Sequence, residues 1–194
     1  MSSHHIVREN QEPAFIILDA HAIPFDKVQE LLEWMPTIIV LYEQMKTVLG
    51  WGIKVDMVLV PVSEEQAWIA RTQDQQPIQI IPFHTTEPPL HKAIEMLSAR
   101  QIPAVNVLAS GKAALHAMAE FKGDAEVFFE NKRWSRVKSG RFEKWVAAGT
   151  KLFVWPERVH HEISFLENGA VVAEKDGLIT FVASNLFWVG EELG

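Results

Sequence analysis

Residues 52–65 read GIKVDMVLVPVSEE. Gly52 supplies a turn, residues 56–60 form an apolar run of strand length, and a loop opening at Pro61 and Val62 carries Ser63, Glu64 and Glu65. An unbroken apolar strand is one covered on both faces, as in a parallel sheet flanked by helices. Open sheets of that kind place ligands and catalytic groups in the loops at the carboxyl ends of their strands. A site for magnesium and phosphates calls for carboxylates at such a strand end. The position suits that chemistry, whereas proline, valine and serine do not.

Towards the N-terminus, residues 14–19 (AFIILD) and 37–42 (TIIVLY) repeat the buried-strand pattern. Between them Phe25, Val28, Leu31, Leu32 and Met35 recur at helical spacing, with Asp26 near the start and Pro36 as the stop. A short helix over residues 43–51 ends at Gly50 and Gly52. Beyond Glu64 come a helix through Ala67 and Ile69, a polar break (TQDQQP), and a strand over residues 78–82. Pro88 and Pro89 then open a helix over residues 90–100, followed by a strand at 104–108 and a helix at 112–121. This alternation predicts a mostly parallel sheet between helical layers.

The rhythm changes near Gly123. From residue 126 onward the chain offers only short strands between turn residues: EVFFEN, RWSRVKSG, FEKWVAAG, KLFVWP, HEISFLENG, AVVAEKDG, LITFVASN and LFWVGEE. Several alternate apolar with polar, the half-buried antiparallel pattern. The expected architecture is an α/β domain over residues 1–122 followed by an antiparallel β-sandwich or barrel over residues 123–194.

The chain has 194 residues, 48% of them apolar and 22% charged, enough to bury a sizeable core. A formal net charge of −7 with scattered Lys and Arg gives no basic face for nucleic acid. The cluster Lys132, Arg133, Arg136, Lys138, Arg141 and Lys144 reads as outward positions on strands. The absence of cysteine excludes disulfides, thiolate catalysis and zinc–thiolate sites. No apolar run approaches membrane length, and residues 1–10 (MSSHHIVREN) lack the apolar core of a signal peptide, which makes the cytoplasm the expected compartment.

Candidate chemistry is sparse. The pairs His4–His5 and His160–His161 suggest a metal, but adjacent side chains on a strand point to opposite faces, and they read as incidental. His84, His91 and His116 follow strands or open helices, where they could meet in space. Ala109, Ser110, Gly111 and Lys112 have the glycine and lysine of a phosphate-binding turn without the spacing of a P-loop. Trp134, Trp145, Trp155 and Trp188 fall in the β region, as pocket lining or as sandwich core. No serine sits in a glycine-flanked elbow.

Four stretches point to a family. GIKVDMVL at 52–59 looks like GIKPDLVIGD, and Leu90, Lys92 and Ala93 match a helix opened by DQTDLEKA. Gly111, Lys112 and His116 lie near a GRxDH segment, and GLITFVASN at 177–185 resembles a strand leading to a Ser-Asn pair. With these, the chain resembles the thiamine pyrophosphokinases across nearly its full length. The resemblance implies a three-layer α/β domain that handles ATP and magnesium, a β-sandwich that helps bind thiamine, and a homodimer.

The family's aspartates are missing. Leu41, Tyr42, Glu43 and Gln44 stand where the family has Ala-Asp-Gly-Gly, and Val60, Pro61, Val62 and Ser63 replace Gly-Asp-x-Asp. Thr86, Glu87, Pro88 and Pro89 replace Asp-Gln-Thr-Asp, and the aspartate of GRxDH falls on Ala114 or Leu115. Tyr42, Glu43, Pro61, Ser63, Glu64, Lys112 and His116 are thus degenerate active-site positions, and no catalytic residue or metal ligand is assigned. Glu43, Glu64 and Glu87 are the nearby acids, each longer than aspartate and displaced by one position.

Three functions follow. The first is a silent or altered relative keeping the dimer and a pocket for a small heterocycle. The second is an active thiamine pyrophosphokinase that uses magnesium and ATP through Glu43 and Glu64. The third is a structural or interaction module whose cleft is filled by Tyr42, Met45, Trp51 and Trp68. By resemblance the heterocycle lies beside Ser184 and Asn185, with Trp188 as aromatic cover, although Ser184 and Asn185 also suit a plain turn. Leu186, Phe187, Trp188 and Val189 read as the exposed apolar residues of a dimer contact.

Overall fold

In the computed structural model, which describes residues 13–156 and 170–194, the continuous apolar runs form the interior of a parallel sheet. β1 (Ala14–Ile17), β2 (Thr37–Leu41) and β3 (Met57–Pro61) are almost wholly buried. With β4 (Gln79–Phe83), β5 (Ala104–Leu108) and β6 (Asp124–Phe129) they pair in parallel in the order β6-β5-β1-β2-β3-β4. Strand residues alternate between two cores. Phe15, Ile17, Val40 and Val58 pack beneath α1 (Phe25–Leu32), α2 (Met45–Gly50) and α3 (Glu65–Arg71). Ile16, Ile39 and Leu59 face α4 (Pro89–Ala99) and α5 (Ala113–Met118).

β6 follows the change of rhythm at Gly123 yet pairs in parallel with β5, Ala104 opposite Asp124. Glu130 and Asn131, both at positive φ, make the tight turn into β7 (Lys132–Val137), which runs antiparallel to β6. β12 (Phe187–Glu192), β9 (Lys151–Trp155) and β10 (Ala170–Val172) continue the same sheet, giving ten strands among the described residues. β8 (Arg141–Val146) and β11 (Gly177–Val182) pair with each other as a two-stranded ribbon. The ribbon packs on the large sheet through Val137, Val146, Val154, Ile179, Phe181 and Phe187. The fold is therefore α/β, with a parallel three-layer part and an antiparallel two-sheet part.

Several expectations change. Phe187, Trp188 and Val189 are not exposed: β12 lies between β7 and β9 and is covered on both faces, Trp188 in the helix-side core and Phe187 and Val189 under the ribbon. Arg136 does not point outward. It is half-buried, and its guanidinium donates to the carbonyls of Met118 (2.7 Å), Phe121 and Gly123 at the end of α5. Pro61 is the last buried residue of β3, beyond the Leu41–Leu59 pairing with β2, rather than the start of the loop. The segment HEISFLENG and the two histidine pairs lie outside the described residues.

Candidate functional site

The chain steps from β1 through β2 and β3 to β4 in one direction, then returns to place β5 on the other side of β1. The crevice at the carboxyl ends of β1 and β5 is thus the topological switch point, where open α/β sheets bind ligands. Leu18 and Asp19 leave β1 with both N–H groups donating to the Leu108 carbonyl (2.9 and 3.3 Å). The Asp19 carboxylate accepts from the His21 N–H (2.9 Å). Ala109, Ser110 and Gly111 leave β5. These loops and the first turns of α4 and α5 enclose a cavity of about 240 Å³.

The positions that the resemblance singles out lie on and beside the neighbouring strand ends. Tyr42 donates its hydroxyl to Glu43 Oε1 (3.2 Å), and the Trp68 indole N–H donates to Glu64 Oε2 (3.2 Å). Tyr42 and Trp68 meet edge to face at 6.2 Å, with the Arg71 guanidinium 5.3 Å from the indole centre. Partial burial, then the charge of Glu43, its hydrogen bond and the charge of Glu64 push the Tyr42 phenol above its ordinary value. Gln44 accepts from the Ala20 N–H (3.0 Å) and so ties the β2 loop to the β1 loop. Ser63 is exposed, and Lys112 is exposed ahead of α5.

Glu43 and Glu64 each accept one hydrogen bond from an aromatic side chain on one carboxylate oxygen, and Pro61 offers neither a carboxylate nor an N–H. Among the described residues no three His, Asp or Glu side chains gather as a metal-holding group. Met45 is buried in the core beneath α1 to α3, Tyr42, Trp51 and Trp68 all pack against that core, and Trp51 lies against Phe25 at 5.1 Å.

Two of the three histidines share a cavity. His91 and His116 line the switch-point cavity, and His116 stands edge-on to Trp155 at 4.3 Å. His84 instead lines a groove of about 710 Å³ between β4 and α4. Ser184 and Asn185 form an exposed bend between β11 and β12. Trp188 cannot cover a ring there, because its side chain is fully buried, and its indole N–H has no partner among the described residues. Sequence reasoning passed over Leu18 and Asp19 as mere strand end, since only the strand order shows that β1 borders the switch point.

No protein-family model matches the chain, and no curated protein matches its sequence. Solved structures do match. Thiamine pyrophosphokinase from Bacillus subtilis superposes with a TM-score of 0.63 at 11% identity, over 94% of this chain and 99% of that one. The fold is that of the thiamine pyrophosphokinases. Thiamin pyrophosphokinase from Candida albicans aligns at 9% identity with a TM-score of 0.62, over 95% of this chain and 90% of that one. The yeast enzyme aligns at 8% identity with a TM-score of 0.61, over 95% and 87%. At such identities the thiamine pyrophosphokinase fold is shared, and the chemistry must be read from this chain's own residues.

Proposed function

We propose that this chain is a catalytically silent relative of the thiamine pyrophosphokinases that acts as a cytoplasmic homodimer and keeps a site for a small heterocycle. The observation that carries the silent reading is the engagement of Glu43 by Tyr42 and of Glu64 by Trp68, beside a strand that ends in Pro61. Pyrophosphoryl transfer depends on positioned cations that neutralise phosphate charge, and these groups supply no place for them. Purified protein given magnesium, ATP and thiamine should release no AMP and form no thiamine diphosphate above background. A second reading, an active enzyme using the displaced glutamates, is favoured by the charges of Glu43 and Glu64 both acting on Tyr42. Turnover that disappears in Glu43→Gln or Glu64→Gln would establish it.

The dimer contact in this proposal moves to the ribbon. Trp145 and Leu178 sit opposite each other across β8 and β11, 64% and 63% exposed, with Val182 further along β11. A second copy covering that face would remove a large aromatic and two aliphatic side chains from water. The exposed bend of Ser184 and Asn185 follows β11, so the same contact would bring a cover towards it. A hydroxyl and an amide there would orient a ring. Thiamine should then raise the melting temperature of the wild type and leave that of folded Asn185→Ala unchanged. An equal shift in both proteins removes Asn185 from the site.

A further inference from the structure

Lys92, Glu95, Met96, Ala99 and Arg100 stand three, four and seven residues apart along α4 and its carboxyl cap, and so share one side of the helix. Opposite this stripe runs β4, the outer strand at the parallel end of the sheet among the described residues, and between them lies the groove of about 710 Å³. All five residues of β4 line it although their side chains alternate between the two faces, so the groove follows the open rim of the strand. Its charges separate along its length. Lys92 and Glu95 pair with each other (2.7 Å), which leaves Arg100 and Glu87. Arg100 stands at the amino end of β4, where its guanidinium donates to Gln79 Oε1 (2.6 Å) and Met57 Sδ (3.6 Å), both neutral. Glu87 lies past the carboxyl end of β4, with His84 beside it in the groove lining. Both Arg100 and Glu87 are exposed, and neither has an ion-pair partner among the described residues.

An unpaired cation at one end and an unpaired anion at the other suit a linear molecule that carries a carboxylate and an ammonium at its ends. The rise of α4 from Pro88 to Arg100 puts these ends about 18 Å apart at about 1.5 Å per residue. Five residues of extended peptide span about 17 Å. The rim supports such a chain in one place. Gln79 spends its N–H on the β3 side, so Ile80 turns its own N–H and C=O away from β3, while Pro82, the next residue turned outward, has no N–H. A peptide antiparallel to β4 would complete one rung at Ile80 and lack a donor at the next, so backbone pairing alone does not hold it and its ends must contribute. The guanidinium is the stronger anchor, because its planar fork matches a carboxylate. The carboxyl end of α4 opposes an anion with only about half a unit charge.

We propose that the groove between β4 and α4 binds a short peptide with free termini, its carboxylate on Arg100 and its ammonium towards Glu87. The proposal does not draw on the silent reading, and β12, next to the Ser184–Asn185 bend, stands seven strands away, about 34 Å. The probe is the pentapeptide Ala-Val-Ala-Val-Ala, titrated into the intact isotopically labelled chain and followed by amide chemical shifts. The wild type should bind it saturably, and both the carboxyl-amidated and the amino-acetylated forms roughly threefold or more weakly, as exposed ion pairs allow. Arg100→Gln should bind the free and amidated forms alike, and Glu87→Gln the free and acetylated forms alike. Ala99→Trp fills the groove from an exposed position and should abolish binding, which tests the site even where Arg100→Gln does not fold. Sodium acetate at the same concentration should give no saturable shift. No saturation by the free peptide, equal affinity for its amidated form, a preference for the free acid that survives in Arg100→Gln, unchanged binding in Ala99→Trp, or acetate binding as tightly as the peptide would each overturn the proposal. Thiamine plays no part in the titration, so failure of the heterocycle site is not confused with failure of this one.

Discussion

Tyr42 is the single tyrosine of the chain, so its ionisation can be followed alone in the phenolate absorption band. Partial burial and the charges of Glu43 and Glu64 disfavour the phenolate, and the midpoint should lie above the ordinary value of about 10. Glu43→Gln should lower it without restoring the ordinary value, because burial remains. A midpoint unmoved by that substitution would break the Tyr42–Glu43 contact on which the silent reading stands. Arg136 carries a second residue-scale expectation. Burial holds its guanidinium below the ordinary range while Asp124 opposes that shift, and its N–H groups close the end of α5. Arg136→Met should cost about 3 kcal/mol in a urea titration, since it strips a charged donor from several carbonyls at once. The alternating pattern of β7 gave Arg136 a strand position. It could not show that the open end of α5 lies against that position.

At the scale of elements, legibility followed how directly a pattern maps to burial. β1, β2 and β3 were readable because an unbroken apolar run has one reading in an α/β chain, and Pro88–Pro89 announced α4 by proline's fit to a first turn. Phe187, Trp188 and Val189 form the same kind of run, yet at the last strand in sequence such a run also suits an exposed contact face. Its neighbours β7 and β9 make it an interior strand, which strand order alone reveals. Gly123, where the rhythm changes, admits no side chain. A Cβ there would lie 2.4 Å from the Pro103 carbonyl oxygen and 2.6 Å from the Phe121 ring. Gly123→Ala should destabilise by about 1–3 kcal/mol, read as a lower urea midpoint at unchanged slope. The β8–β11 ribbon makes the other element-scale prediction: wild type should scatter light as a dimer at micromolar concentration, and Trp145→Ser with Leu178→Ser as a monomer. A wild-type monomer would retire the ribbon as a contact.

Over the whole molecule, one sheet joins the parallel and antiparallel parts, and the helix-side core includes Trp134 and Trp188 from the antiparallel part beside Leu90 and Leu115 from α4 and α5. Unfolding followed by tryptophan fluorescence and by far-ultraviolet circular dichroism should therefore coincide in one transition. Two separated transitions would mean that the parts stand independently despite the shared core. The fold class was legible because periodicity is local, whereas the switch-point cavity was not, since it depends on β5 returning to the far side of β1. Among the described residues the same strand order leaves β4 as the outer strand at the parallel end of the sheet. Gln79 donates its N–H to Asp56 on the β3 side (2.9 Å), so alternation along β4 directs the backbone nitrogens of Ile80 and Pro82 away from β3. A foreign strand docking along that rim would meet proline where it needs a hydrogen-bond donor. Pro82 thus acts as a stop against end-to-end sheet growth, a safeguard against fibrils in a chain whose strands are among its most apolar segments.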